Sequence, residues 1–191
     1  MSLKGQFLVA MPGMGDERFQ DAVIYLVGHG DEGAMGLVVN QSLEDMRFAD
    51  ILEELDLGET SEIIRLPDTV RNREVLRGGP VQRSRGFVLH SSDYFREDNS
   101  YQVSDEICLT ATLDVLKAIA FDSQPADSLL ALGYCGWSPG QLEGEIQGNG
   151  WLTVPFSRDL LFETPLEKRY DAALAQLGVT RASLSATAGN A

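Results

Sequence analysis

The chain has 191 residues, 43% of them hydrophobic and 23% charged, and its 29 acidic residues against 15 lysines and arginines leave a formal net charge of −14. This length suits one domain, residues 1–191, that buries roughly 70% of the surface its unfolded chain exposes. The charge repels phosphate backbones and anionic lipid, no apolar run approaches the ~20 residues of a membrane span, and no signal-peptide pattern opens the sequence; direct nucleic-acid binding, membrane insertion and secretion are therefore not expected. Cys108 and Cys135 sit in apolar contexts without a C-x-x-C pairing, which points to a reducing, cytoplasmic setting.

In chain order, Gln6 to Met11 reads as a short strand broken by Pro12-Gly13-Met14-Gly15. Asp16 caps a short helical piece through about Asp21. Ala22 to Val27 and Met35 to Val39 read as strands joined by the glycine-rich turn Gly28 to Gly33, a candidate hairpin. Phe48, Ile51, Leu52 and Leu55 have the i, i+3, i+4, i+7 spacing of an amphipathic helix that Gly58 can end. Between Glu44 and Glu62 stand eight acids against Arg47 alone, a local charge of −7. From Arg65 to Arg85 six arginines face Asp68 and Glu74, a local +4 in what reads as a connecting segment.

Val75 to Val81 contains the kink Gly78-Gly79-Pro80, and Phe87 to His90 is strand-like. Asp93 to Asn99 reads as a β–β connection, Tyr101 to Leu109 as a strand, and Thr112 to Phe121 as a helix ended by Ser123-Gln124-Pro125. Ser128 to Tyr134 is an apolar run that reads as a buried strand, followed by a turn and a helix start. There Ser138 is a good N-cap, Pro139 fits the first helical position, and Gln141 completes a Ser-x-x-Gln capping box. Gly148-Asn149-Gly150 stops this helix, Trp151 to Phe156 is a strand, Leu160 to Phe162 a short strand or turn, and Pro165 opens a last helix ended by Gly178. The tail from Ser183 to Ala191 is small and polar, with an end expected to be mobile.

Hairpin-connected strands mixed with helix-connected ones predict an α/β chain of the α+β kind: a mixed, curved β-sheet with flanking helices, not a regular doubly wound fold. Neither G-x-G-x-x-G nor G-x-x-x-x-G-K-[ST] occurs, so the common nucleotide-binding loops lose weight.

The motifs carry a resemblance. Gly5-x-Phe7-Leu8-x-Ala10-x-Pro12-x-Met14-x-Asp16-x-x-Phe19 opens it, and His29 with Gly33-Ala34-Met35-Gly36-Leu37-Val38-Val39-Asn40 continues it. Gly78-Gly79-Pro80-Val81 and Val88-Leu89-His90 follow. Leu132-Gly133-Tyr134, Gly136-Trp137-x-Pro139-Gly140-Gln141-Leu142-Glu143-x-Glu145 and Trp151-Leu152 complete it. Over nearly its whole length the chain resembles the bacterial YqgE/AlgH family. That resemblance implies a mixed, curved sheet with flanking helices, no established biochemical activity, and for one named branch a role in transcriptional regulation without a recognised DNA-binding motif. The chain departs from the family pattern at Asn40-Gln41-Ser42, at Cys135 and at the terminal Gly189-Asn190-Ala191.

A candidate ligand site is expected where Gly136 to Glu143, Gly78 to Pro80 and one or both histidines meet: His29, Asn40, Gly78, Gly79, Pro80, His90, Gly136, Trp137, Gln141 and Glu143. A strand feeding a helix N-terminus through glycines suits a polar or anionic ligand. Trp137 could stack on that ligand or anchor the helix to the core, and the neighbouring arginines could meet an anion or an acidic protein. Cys135, just before a helix start, is the one candidate nucleophile, and lacks an identifiable base. Glu143 and Glu145, two apart on a helix, point in different directions and do not form a carboxylate pair. No metal-ligand spacing and no cofactor motif is present. The expected function is a non-enzymatic cytoplasmic binding or regulatory protein acting on a small anionic ligand or a protein partner; the alternative is a thiol- or histidine-dependent enzyme.

Overall fold

The computed structural model describes residues 2–188. Its frame is one ten-stranded mixed sheet, curved and flanked by helices. The strands are β1 (Phe7–Ala10), β2 (Val23–Gly30), β3 (Gly33–Val38), β4 (Ser42–Arg47), β5 (Glu74–Arg77), β6 (Val81–Ser91), β7 (Ser100–Gln102), β8 (Ile107–Thr110), β9 (Ser128–Trp137) and β10 (Trp151–Val154). The main path runs β10-β1-β2-β3-β9-β6-β8-β7, antiparallel throughout; β5 joins β9 in parallel, and β4 pairs with β5.

β9 is the pivot. Val75, Leu76 and Arg77 of β5 lie opposite Leu130, Ala131 and Leu132, whereas Ala34, Met35 and Gly36 of β3 lie opposite Trp137, Gly136 and Cys135. The strand thus changes neighbour at Gly133, where φ is +77° and a Cβ would sit 2.4 Å from the Gly79 carbonyl oxygen. The close approach is mutual: a Cβ on Gly78 would lie 2.3 Å from the Gly133 oxygen, and one on Gly79 2.2 Å from the Tyr134 carbonyl. Glycine is required here because backbone meets backbone. On the other side of β9, the ladder with β6 skips from Val81–Tyr134 to Gly86–Leu132, so Gln82 to Arg85 bulge out, all exposed.

The helices are α1 (Phe48–Glu54), α2 (Thr60–Arg65), α3 (Asp68–Arg71), α4 (Leu113–Lys117, continued by a wider π turn, Ala118–Asp122), α5 (Gln141–Gln147), α6 (Arg169–Gln176) and α7 (Arg181–Ala188). Phe48, Ile51 and Leu52 of α1 and Val115 and Leu116 of α4 cover one face of β5, β6 and β9. α6 packs Tyr170, Ala173 and Leu174 against β1 and β2, and α5 covers Leu8, Ile24, Leu26 and Val38 through Leu142. Covered on both faces, Val23 to Val27 are all buried, which explains a continuous apolar run in place of alternation.

Several boundaries differ from expectation. His29 lies within β2, paired with Ala34, so the hairpin turn is only Asp31-Glu32. α1 ends at Glu54, with Leu55 as its C-cap and Asp56 at positive φ closing the turn, short of Gly58. Tyr101 to Leu109 is two strands, β7 and β8, and Leu160 to Phe162 belongs to a π turn (Asp159–Glu163). β4, α2 and α3 were hidden in charged sequence, and the arginine-rich stretch runs from α2 into β6 rather than forming a connection. β9 continues through Gly136 and Trp137, and α5 starts at Gln141; of the expected capping box only the Gln141 half forms, its Oε1 accepting from Ser138 N–H at 3.0 Å. Ser183 to Ala188 is part of helix α7, while the expectation about the final residues, Gly189-Asn190-Ala191, lies outside the described residues.

Candidate functional site

Glu145 organises the region around the β9–α5 junction. Its Oε2 accepts from the indole N–H of Trp137 at 2.9 Å and of Trp151 at 2.7 Å, and its Oε1 accepts from Gln141 Nε2 at 2.9 Å. The two indoles meet edge to face, 6.0 Å between centroids, and Phe19 packs edge-on against Trp151 at 5.6 Å. A carboxylate held by three neutral donors and walled by aromatic rings fixes both tryptophans in one orientation. Sequence reasoning named Trp137 and Gln141 but set Glu145 aside, because nothing in the linear order shows that Trp137 and Trp151 converge on one carboxylate.

This wall bounds a cavity of about 550 Å³ that Met14, Asp16, Pro80, Gly136 and Glu145 also line. A second cavity of about 300 Å³ continues from it past Arg18, Phe19 and Pro80 toward Arg77, Gly79 and Arg83. Arg18 stands between the two, held by Asp16 in a two-pronged pair with Nη2–Oδ2 at 2.7 Å and Nε–Oδ1 at 3.0 Å. Arg77 and Arg83 are exposed and form no ion pair among the described residues. The cleft therefore joins an aromatic half to an arginine half.

His29 lines neither cavity. Its Nδ1 accepts from Leu3 N–H at 3.0 Å, so Nε2 carries the proton and donates to Glu143 Oε1 at 2.8 Å. Both ring nitrogens are engaged, leaving none for a substrate. The pair ties the N-terminal segment, β2 and α5 together. Glu143's own backbone N–H and the His29 ring hold its carboxyl below the ordinary range.

The remaining expected residues separate. His90 is fully buried and lies opposite Ser128 at the far end of β9, whereas His29 faces Ala34, itself opposite Trp137. That is roughly 30 Å of strand path, so the two histidines do not share a site. Asn40 spends both ends of its amide on backbone, accepting from Val23 N–H at 2.8 Å and donating to the Asp21 carbonyl at 2.7 Å. Gly78 and Gly79 turn their Cβ positions toward backbone, as required by the β9 crossing, although Gly79 and Pro80 do edge the cleft.

Cys135 is buried, its Sγ 3.5 Å from the Gly78 carbonyl oxygen, and burial pushes its thiol pKa up to about 12. An activated nucleophile needs the opposite shift. Among the described residues, no three His, Cys, Asp or Glu side chains cluster as a metal site would require, and no helix is long and apolar enough to cross a membrane.

A family model described as AlgH-like matches residues 7–182. The chain is 54% identical over 189 residues to a UPF0301 protein of Mesorhizobium japonicum, covering 99% of this chain and 93% of the relative. It is 52% identical over the same length to a UPF0301 protein of Methylobacterium, covering 99% and 90%. The solution structure of the AlgH protein from Pseudomonas aeruginosa superposes with a TM-score of 0.79 at 42% identity, covering 100% and 97% of the two chains. A crystal structure from Corynebacterium diphtheriae shares the fold, with a TM-score of 0.69 at 19% identity over 90% and 85%.

Proposed function

The chain belongs to the AlgH-like family, and from that premise we propose a non-enzymatic binding protein of the cytoplasm that holds a small organic anion in the cleft between Pro80 and Phe19. Arg77 and Arg83 meet the negative charge, and the Phe19, Trp137 and Trp151 wall takes an apolar or aromatic body. A regulatory role then runs through the occupied cleft, or through a protein partner that reads it, with no direct contact to nucleic acid. The net charge of −14 favours that route, because sequence-independent DNA affinity depends on an excess of lysine and arginine. Two buried, unpaired thiols suit a reducing compartment.

The observation that carries the reading is one cleft combining two unpaired arginines with aromatic surface held rigid by Glu145. Preformed, part-apolar cavities with a few convergent polar groups are where small ligands bind. Titration calorimetry against a panel of small organic anions tests it. A ligand should bind the native protein and lose roughly tenfold or more of its affinity in an Arg77→Ala, Arg83→Ala double variant. Binding that is indifferent to that variant, or no ligand from the panel and no partner in pull-downs, refutes the reading.

A further inference from the structure

Arg73 and Arg169 come from distant parts of the chain, one just before β5 and the other opening α6, and both line a separate cavity of about 290 Å³. Arg169 is 3% exposed. Its Nε donates to the Thr164 carbonyl at 2.9 Å and its Nη1 to the Val39 carbonyl, while Nη2 has no partner among the described residues. Arg73 donates through Nη2 to the Ser128 carbonyl at 2.6 Å and hydroxyl at 2.8 Å, leaving Nε and Nη1 idle. None of these idle donors belongs to the buried side-chain atoms that lack a partner, so each keeps contact with solvent, and both side chains line the cavity.

No carboxylate forms an ion pair with either guanidinium among the described residues. Burial lowers the pKa of both, that of Arg169 to about 10. The Glu74 charge offsets the desolvation of Arg169 only in part and makes no direct ion pair with it, and the fold places two such partly uncompensated cations in one cavity wall.

We propose that this cavity binds the carboxylate of a small organic acid, with Arg73 and Arg169 donating to its oxygens. The planar guanidinium fork matches a carboxylate. Phe48, Ile119 and Phe162 supply apolar wall for the acid's body. Glu74 and Glu163 also line the cavity, and their charge disfavours a dianion such as phosphate. This site is independent of the Arg77–Arg83 cleft and stands or falls without it.

Benzoate and inorganic phosphate are the probes, titrated into the full chain and followed by calorimetry and by the Arg Nε–Hε resonances. Benzoate should bind saturably, shift the Arg73 resonance, and lose roughly tenfold or more of its affinity in Arg73→Gln, the loss of charge-assisted hydrogen bonds. These comparisons are made in the Arg77→Ala, Arg83→Ala background, which removes anion binding in the first cleft, and benzoate should shift the Arg73 resonance there as it does in the native chain. If Arg73→Gln does not fold, Arg73→Lys, which keeps the charge and removes the fork, makes the same comparison. No saturable benzoate binding, a silent Arg73 resonance, equal affinity in the Arg73 variant, or tighter binding of phosphate than of benzoate overturns the proposal.

Discussion

Glu145 shows how one residue determines the shape of a surface. Both tryptophans of the chain donate to the same oxygen, so that oxygen must accept twice and donate nothing. Glu145→Gln keeps the size but can turn an amide N–H₂ toward two indole N–H groups. The expected cost is ~2 kcal/mol, the penalty for buried donors left without acceptors. Urea unfolding measures it, and because both tryptophans lie here, a red shift of native fluorescence should accompany it. An unchanged midpoint and spectrum would mean the carboxylate is incidental. Cys135 makes the complementary point: adjacency to a helix start in sequence suggested an activated thiol, and its burial on β9 among Val38, Trp137 and Leu142 produces the reverse.

At the scale of elements, His90 joins three strands. Its Nδ1–H donates to the Ser91 carbonyl, its Nε2 accepts from Thr110 Oγ1 at 2.8 Å, and Thr110 continues to Ser100 at 2.9 Å, linking β6, β8 and β7. The Thr110 hydroxyl can serve either state of the ring, donating to a neutral Nε2 or accepting from a protonated one while donating to Ser100, so burial is what disfavours the charged ring. Burial holds the His90 pKa below its ordinary 6.5, with the nearby Asp93 charge opposing only in part. Below that pH the unfolded chain therefore binds more protons than the folded one. Stability is complete above about pH 6.5 and drains below it, by up to ~1.4 kcal/mol per pH unit until the folded ring titrates. Urea midpoints compared at pH 7.5 and 5.5 should show this loss, and His90→Gln should flatten it; equal slopes in the two proteins would refute the assignment. Elements of this kind were partly legible. The apolar runs of β1, β2 and β9 and the i, i+3, i+4 spacing of α1 and α4 announce themselves through burial. β4 and α2 do not, because Ser-Leu-Glu-Asp-Met-Arg and Thr-Ser-Glu-Ile-Ile-Arg have too few apolar positions for a period to register.

For the molecule as a whole, a charge of −14 opposes compactness. Raising ionic strength from about 0.01 to 0.15 M shortens the screening length from roughly 30 to 8 Å, so the melting temperature should rise over that range; a fall would show that local pairs such as Arg181 with Asp21 and Asp171 outweigh the global repulsion. Composition and pattern by themselves determined the charge, the mixed curved sheet and the family resemblance, because net charge is a sum and strand and helix periods are local. They also marked Gly78 and Gly79 as a backbone kink that could edge a ligand site. Only the tertiary structure decided the reason for these glycines, a crossing of backbones at Gly133 of β9. It alone separated His90 from His29, committed Asn40 to backbone, gathered two tryptophans on Glu145, and set Arg73 beside the same cavity as Arg169. Each of these depends on contacts between residues far apart in the chain, and a spacing along the sequence carries no information about which strand ends will meet.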